Sequence, residues 1–146
     1  MYAAIVAQGK KVMAEVSFDD VIATGTVLQN LRTSKLQNSM DMTRDGYHMD
    51  YGIARYAASC AVFEKLISPA FGSVTLDGNT FRYTTSNSTA GSYSTPDTDA
   101  NAPIALQAAR YALATPYAVT DMSDIDQKKP DNGIEDTEFD DDKNKE

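Results

Sequence analysis

The chain has one histidine, His48, standing three residues after Asp45 in the run Arg44-Asp-Gly-Tyr-His48. An Asp-x-x-His spacing with a glycine inside lets a loop curl until the carboxylate meets one imidazole nitrogen. The other nitrogen then faces outward and can take a proton from a nucleophile. In such a pair the carboxylate fixes the tautomer and stabilises the imidazolium as it forms; in the serine proteases, losing that orientation lowers the rate by about 10⁴. Asp45 and His48 are therefore the candidate catalytic residues. The competing reading makes Asp45 a helix cap and His48 a solvated residue near a helix start. Tyr47 and Tyr51, flanking His48, are candidates for a sugar-binding surface, and packing is the alternative role for both.

The elements that must hold this loop follow from apolar spacing. Tyr2, Ile5, Val6, Val12, Met13 and Val16 recur at helical intervals, which predicts a helix from Tyr2 to about Val16. Val21-Ile-Ala-Thr24, closed by Gly25, reads as a short buried strand of a parallel sheet. A short helix is expected from Thr26 to about Thr33, then a polar stretch over Ser34–Arg44. The strongest helical stripe, Met49, Ile53, Tyr56, Cys60, Phe63 and Ile67, predicts a long helix over 49–67 with Asp50 at its positive end and Pro69 beyond its stop. Loops at the carboxyl ends of strands carry the active residues of open α/β sheets, and the Asp45–His48 loop follows the candidate strand. Asp77-Gly-Asn79 between Ser73–Leu76 and Thr80–Tyr83 is a hairpin signal. Residues 84–99, rich in Ser, Thr, Asp and Gly, read as a loop. A last helix is expected over Ala102–Ala114, with Asn101 as cap and Pro103 in its first turn.

Two stretches, Val21 to Ser34 and Met42 to Ala58, resemble the C-terminal part of SGNH-type (GDSL-like) hydrolases, above all an uncharacterised bacterial branch with the run Thr-Arg-Asp-Gly-Tyr-His. Residues Asp77–Tyr117 are similar to the segment that follows this block in the same branch, so the resemblance covers about residues 1–120. It implies an α/β fold: the C-terminal portion of a three-layer α/β/α (flavodoxin-like) sandwich over 1–72, extended by a hairpin, loop and helix over 73–120. It also implies ester cleavage by a Ser-His-Asp triad, with Asp45 and His48 matching the Asp-x-x-His block and an acyl or carbohydrate ester as substrate. The chain departs from that family at one place. It contains no Gly-Asp-Ser block, no Gly-x-Ser-x-Gly elbow, and no assignable oxyanion-hole blocks. The expectation is a catalytic fragment, inactive alone, whose companion N-terminal portion with the serine is another polypeptide segment or an upstream reading frame. One parallel strand cannot satisfy its own N–H and C=O groups, which leads to the same expectation.

Composition narrows the remaining classes. Residues 121–146 hold 11 acidic and 4 basic side chains, so nearly all of the net charge of −8 lies there, and the segment is expected to be a disordered acidic tail. The body is near neutral and has no basic cluster, which argues against nucleic-acid binding. No apolar run reaches the ~20 residues a membrane span requires, and the N-terminal residues lack the basic start of a signal peptide; the compartment is left open. One cysteine forms no internal disulfide, and Cys60 reads as a small core residue. One Cys and one His do not make a four-ligand structural zinc site, and the tail aspartates lack a calcium-loop frame, so no metal or cofactor is expected. Two other classes remain: a non-catalytic α/β module, and an interaction protein whose acidic tail binds a basic partner.

Overall fold

The computed structural model describes residues 1–37, 42–82 and 95–125. Among these residues five α-helices run in order: α1 (Tyr2–Glu15), α2 (Thr24–Thr33), α3 (Ile53–Val62), α4 (Ser68–Ala70) and α5 (Ala102–Ala114), with a π-helical turn, Phe63–Ile67, between α3 and α4. The core is a three-helix packing of α3 on α5 with α2 against both. Small residues make this possible: Ala54, Ala57 and Ala61 of α3 and Ala105, Ala108, Ala109 and Ala112 of α5 are buried, as are Val27 and Leu31 of α2. Alanine faces bring helix axes close, and each larger buried aliphatic side chain adds about 1.5–3 kcal/mol.

Residues 115–125 are stitched to α2 by buried polar groups. Asn30, fully buried, donates from Nδ2 to the Ala108 carbonyl at 3.2 Å and accepts the Thr120 N–H at 2.8 Å. Thr26 donates to the Pro116 carbonyl at 2.6 Å, and Thr33 Oγ1 accepts the Met122 N–H at 2.8 Å. Met122 is buried, and Ile125 packs against the core. Composition had placed these residues with the acidic tail; the hydroxyl and amide partners on α2 are what bring 121–125 onto the body. The rest of the segment read as tail, 126–146, lies outside the described residues.

Three sequence expectations are corrected. No strand forms over Val21–Thr24 among the described residues: α2 begins at Thr24, because the Ala23 carbonyl accepts the N–H groups of Thr26 and Val27 and so opens the helix there. Residues 21–23 are left extended or turned without a ladder partner; the Thr24 N–H bonds back to the Ile22 carbonyl. The Asp77-Gly78 turn does form, with Gly78 at φ +71° and the Asn79 N–H bonded to the Leu76 carbonyl. Its arms do not pair as strands among the described residues, since Asn79 bonds Phe81 and Tyr56 while Thr75 and Asp77 turn to Arg110. Residue 83 and most of the expected loop, 84–94, lie outside the described residues.

The third correction concerns the long helix. It starts at Ile53 rather than Met49, and its last part is a π turn, closed by the Ser68 N–H on the Phe63 carbonyl. Pro69 explains the widening: proline lacks an N–H and its ring collides with the carbonyl four residues earlier, here that of Lys65. The wider turn changes the phase of the stripe. Ile53 and Cys60 face inward as expected, whereas Ile67 is 41% exposed. Helix α1, by contrast with the others, has no buried residue at all. It touches the body through Tyr2, whose hydroxyl bonds Thr26 Oγ1 at 2.9 Å, and through Lys10, which lies over the Tyr117 ring.

Candidate active site: an aspartate–histidine pair beside an open groove

The loop between α2 and α3 closes on itself before it reaches α3. Thr43 and Met49 form an isolated antiparallel bridge, the Arg44 N–H bonds the His48 carbonyl at 3.0 Å, and the Asp50 N–H bonds the Met42 carbonyl at 3.0 Å. Gly46, at φ +80°, provides the reversal, a conformation that costs other L-residues about 1–2 kcal/mol. Met42, fully buried, also takes a positive φ, +60°, and is locked there from the far side of the loop by Asp50.

Within this closed loop Asp45 works with both oxygens. Oδ1 accepts the N–H groups of Tyr47 at 3.0 Å and His48 at 2.7 Å; Oδ2 meets His48 Nδ1 at 2.7 Å. The His48 backbone N–H, then its imidazole, then the Tyr47 N–H hold the Asp45 carboxyl well below the usual carboxylate range. A carboxylate at that distance accepts a hydrogen bond from Nδ1–H of a neutral imidazole, which leaves the lone pair on Nε2. Among the described residues Nε2 makes no hydrogen bond, and the His48 side chain is about half exposed at 55%. Tyr47, itself exposed, sets its ring edge-on to the imidazole, with centroids 4.9 Å apart.

Asp45 does not cap α3; Asp50 does. The fully buried Asp50 accepts the N–H groups of Gly52 at 2.9 Å and Ala54 at 3.1 Å on Oδ1. Burial raises its pKa, against those backbone bonds, and the charge of Asp97 adds to the rise. The two acids of this region are thus divided in role: one turns the loop and aims the imidazole, the other starts the helix.

His48 lines an open groove of about 710 Å³ between the loop and the outer face of α3, together with Arg44, Arg55, Ser59 and Phe63. Ser59 is not placed as a nucleophile: its hydroxyl donates to the Arg55 carbonyl at 3.0 Å. Tyr51 is half-buried and stacks with two guanidinium groups, those of Arg44 and Arg55, each 4.4 Å from its ring centroid. Arg55 carried no role in the sequence reading. The available signal was its position, four residues after Tyr51 at the start of a helix, where side chains meet. A second, largely apolar cavity of about 400 Å³ shares Arg55, Ser59 and Phe63 with the groove and reaches down to Cys60. Burial pushes the Cys60 thiol up to about 11, so it stays protonated and unreactive. Among the described residues there is no cluster of three His, Cys, Asp or Glu side chains that could hold a metal, and no helix is long and apolar enough to cross a membrane.

Fold and site together define a small helical unit presenting a carboxylate-oriented imidazole to an open groove. The chain belongs to the DUF4886 family: residues 1–97 match the family described as "Domain of unknown function (DUF4886)". A solved structure of a DUF4886 family protein from Bacteroides uniformis ATCC 8492 is similar over 83% of this chain, at 31% identity and a TM-score of 0.60. The chain spans 40% of that protein's length. No curated protein matches.

Proposed function

We propose that this chain carries the aspartate and histidine of a Ser-His-Asp relay that cleaves acyl or carbohydrate esters, with the serine supplied by a polypeptide segment outside these residues. The observation that carries the reading is the 2.7 Å contact between Asp45 Oδ2 and His48 Nδ1, with Nε2 left unbonded at a groove wide enough for a substrate. In the reaction, His48 Nε2 takes the serine proton as the oxygen attacks the ester carbonyl. It returns that proton to the alcohol as the carbon–oxygen bond breaks, and water repeats the exchange on the acyl-enzyme. Asp45 holds the tautomer throughout and balances the imidazolium charge.

The fold belongs to the same reading. Residues 21–23, without a ladder partner, and α1, without a buried face, are what an edge of an α/β/α sandwich looks like when its neighbouring strands are elsewhere. The greater length of the Bacteroides uniformis relative supports a larger unit. Alone, the chain carries no Gly-Asp-Ser block and no assignable oxyanion-hole block, and oxyanion donors usually give the largest electrostatic contribution.

The test has two parts. The purified chain is expected to hydrolyse an aryl acetate no faster than buffer does. A chimera joining the unmatched part of the Bacteroides uniformis protein to this chain is expected to hydrolyse it, and to lose that activity on His48→Ala. Hydrolysis by the chain alone removes the need for an outside serine; a folded chimera indifferent to His48 overturns the relay.

A further inference from the structure

The groove beside His48 carries two cationic side chains. Arg44 and Arg55 both line it, and their guanidinium groups share the Tyr51 ring, so they stand no farther apart than twice their 4.4 Å distance from its centroid. Their charges are answered unequally. Arg44 Nε lies 3.9 Å from Asp45 Oδ2, an oxygen already held by His48 Nδ1 at 2.7 Å. Arg55, on the exposed face of α3, makes no ion pair among the described residues.

The contrast with Arg110 is instructive. That guanidinium sits at a similar helix surface but is fully answered, by Glu64 at 2.9 Å and by Asp77 at 2.8 and 3.1 Å. A planar guanidinium stacked on an aromatic ring keeps its edge N–H groups free, in a geometry that matches carboxylate and phosphate oxygens. Stacking also fixes the side chain beforehand, so less entropy is lost when an anion arrives. Two cations near one ring repel until that happens.

We infer that the ester handled by this groove also carries an anionic group, a carboxylate or a phosphate, held by Arg55 and Arg44 while its ester carbonyl lies at His48. The inference rests on the proposed relay. The adjoining apolar cavity, which shares Arg55, would take the uncharged remainder of the same molecule.

Because the chain alone is expected not to turn over, binding can be read at equilibrium. Three probes are titrated into the full chain: an O-acetylated methyl glucuronoside, an O-acetylated methyl glucoside bearing a phosphate, and the neutral O-acetylated methyl glucoside. The His48 ring and Arg55 Nε–H resonances are followed by NMR. At least one anionic probe is expected to bind about tenfold tighter than the neutral one, as expected for a charge-assisted contact. The preferred probe tells carboxylate from phosphate, and salt should erode the preference. Arg55→Gln should bring the ratio close to one, and Arg55→Lys should keep part of it, with the Val27 and Ala108 resonances unmoved as a check on the fold. If the neutral probe moves His48 as strongly and binds as tightly, the anionic requirement is wrong while the relay stands. Anions that move Arg55 without moving His48 overturn it as well. If no ester moves His48, the relay falls, and this inference with it.

Discussion

Asp45 contributes two separable things, and one substitution separates them. Asp45→Asn keeps a carbonyl oxygen for the Tyr47 and His48 N–H groups but places an NH₂ donor opposite Nδ1. The imidazole should then switch to the tautomer protonated on Nε2, while the loop keeps its shape. Long-range ¹H–¹⁵N correlation of His48 reads this directly, and an unchanged tautomer would show that Asp45 does not set it. The carboxyl itself should titrate well below an ordinary aspartate, because its charged form receives three hydrogen bonds. A depressed pKa stabilises the fold above the ordinary value and ceases to do so as the pH falls through the shifted one. The ¹³C shift of the Asp45 carboxyl should therefore still report the ionised form at pH values where an aspartate in an unfolded peptide is already protonated. This pair was legible in the sequence because its whole geometry lies within four consecutive residues and one glycine. Arg55 was not: what makes it notable is a ring beneath it and a groove beside it, and both depend on how the loop folds onto α3.

Two glycines near helix starts, Gly52 before α3 and Gly25 in α2, look alike in the sequence and should behave in opposite ways. A Cβ on Gly52 would overlap the Thr95 carbonyl oxygen, which also accepts the Ile53 N–H. Backbone atoms cannot swing aside, so Gly52→Ala should cost at least about 2 kcal/mol. Gly25, inside α2, has open space around its Cβ position, and Gly25→Ala should instead stabilise by about 0.5–1 kcal/mol. Urea denaturation of the two variants decides both. Asp50 supplies a prediction of the other sign from Asp45. Its pKa is raised by burial, so the native state holds the proton more tightly than the unfolded chain, and stability declines as the pH rises through the folded value. Asp50→Asn keeps an acceptor for the Gly52 and Ala54 N–H groups and should remove that decline. Its urea midpoint relative to wild type should be higher at neutral pH than below the ordinary aspartate range. The elements themselves were mostly readable from apolar spacing, as α1, α2 and α5 attest. The misreadings have physical causes: Val21–Thr24 has a strand's composition, but Ala23 opens a helix; the 49–67 stripe keeps an α period only until Pro69 forces a wider turn.

Taken whole, the molecule is unevenly held. The Ala-rich interface of α2, α3 and α5 and the buried Asn30 bridges form one cooperative body, whereas α1 is attached through Tyr2 and Tyr117 and buries none of its side chains. Amide hydrogen exchange should show α1 opening far more readily than α3 or α5, with protection close to that of a fraying terminus. A protected α1 in the isolated chain would mean its apolar face is covered after all, and would weaken the case for absent neighbours. Composition could not reveal this, since a helix with a good apolar stripe reads the same whether or not anything lies against it. The loop that carries His48 stands apart from that unevenness. Its two feet, Met42 and Asp50, are clasped to each other and sunk in the core, and every bond that aims the imidazole lies between them. Such a clasp is a prefabricated part: grafted whole into a foreign scaffold with the same foot spacing, it should arrive with its imidazole already pointed.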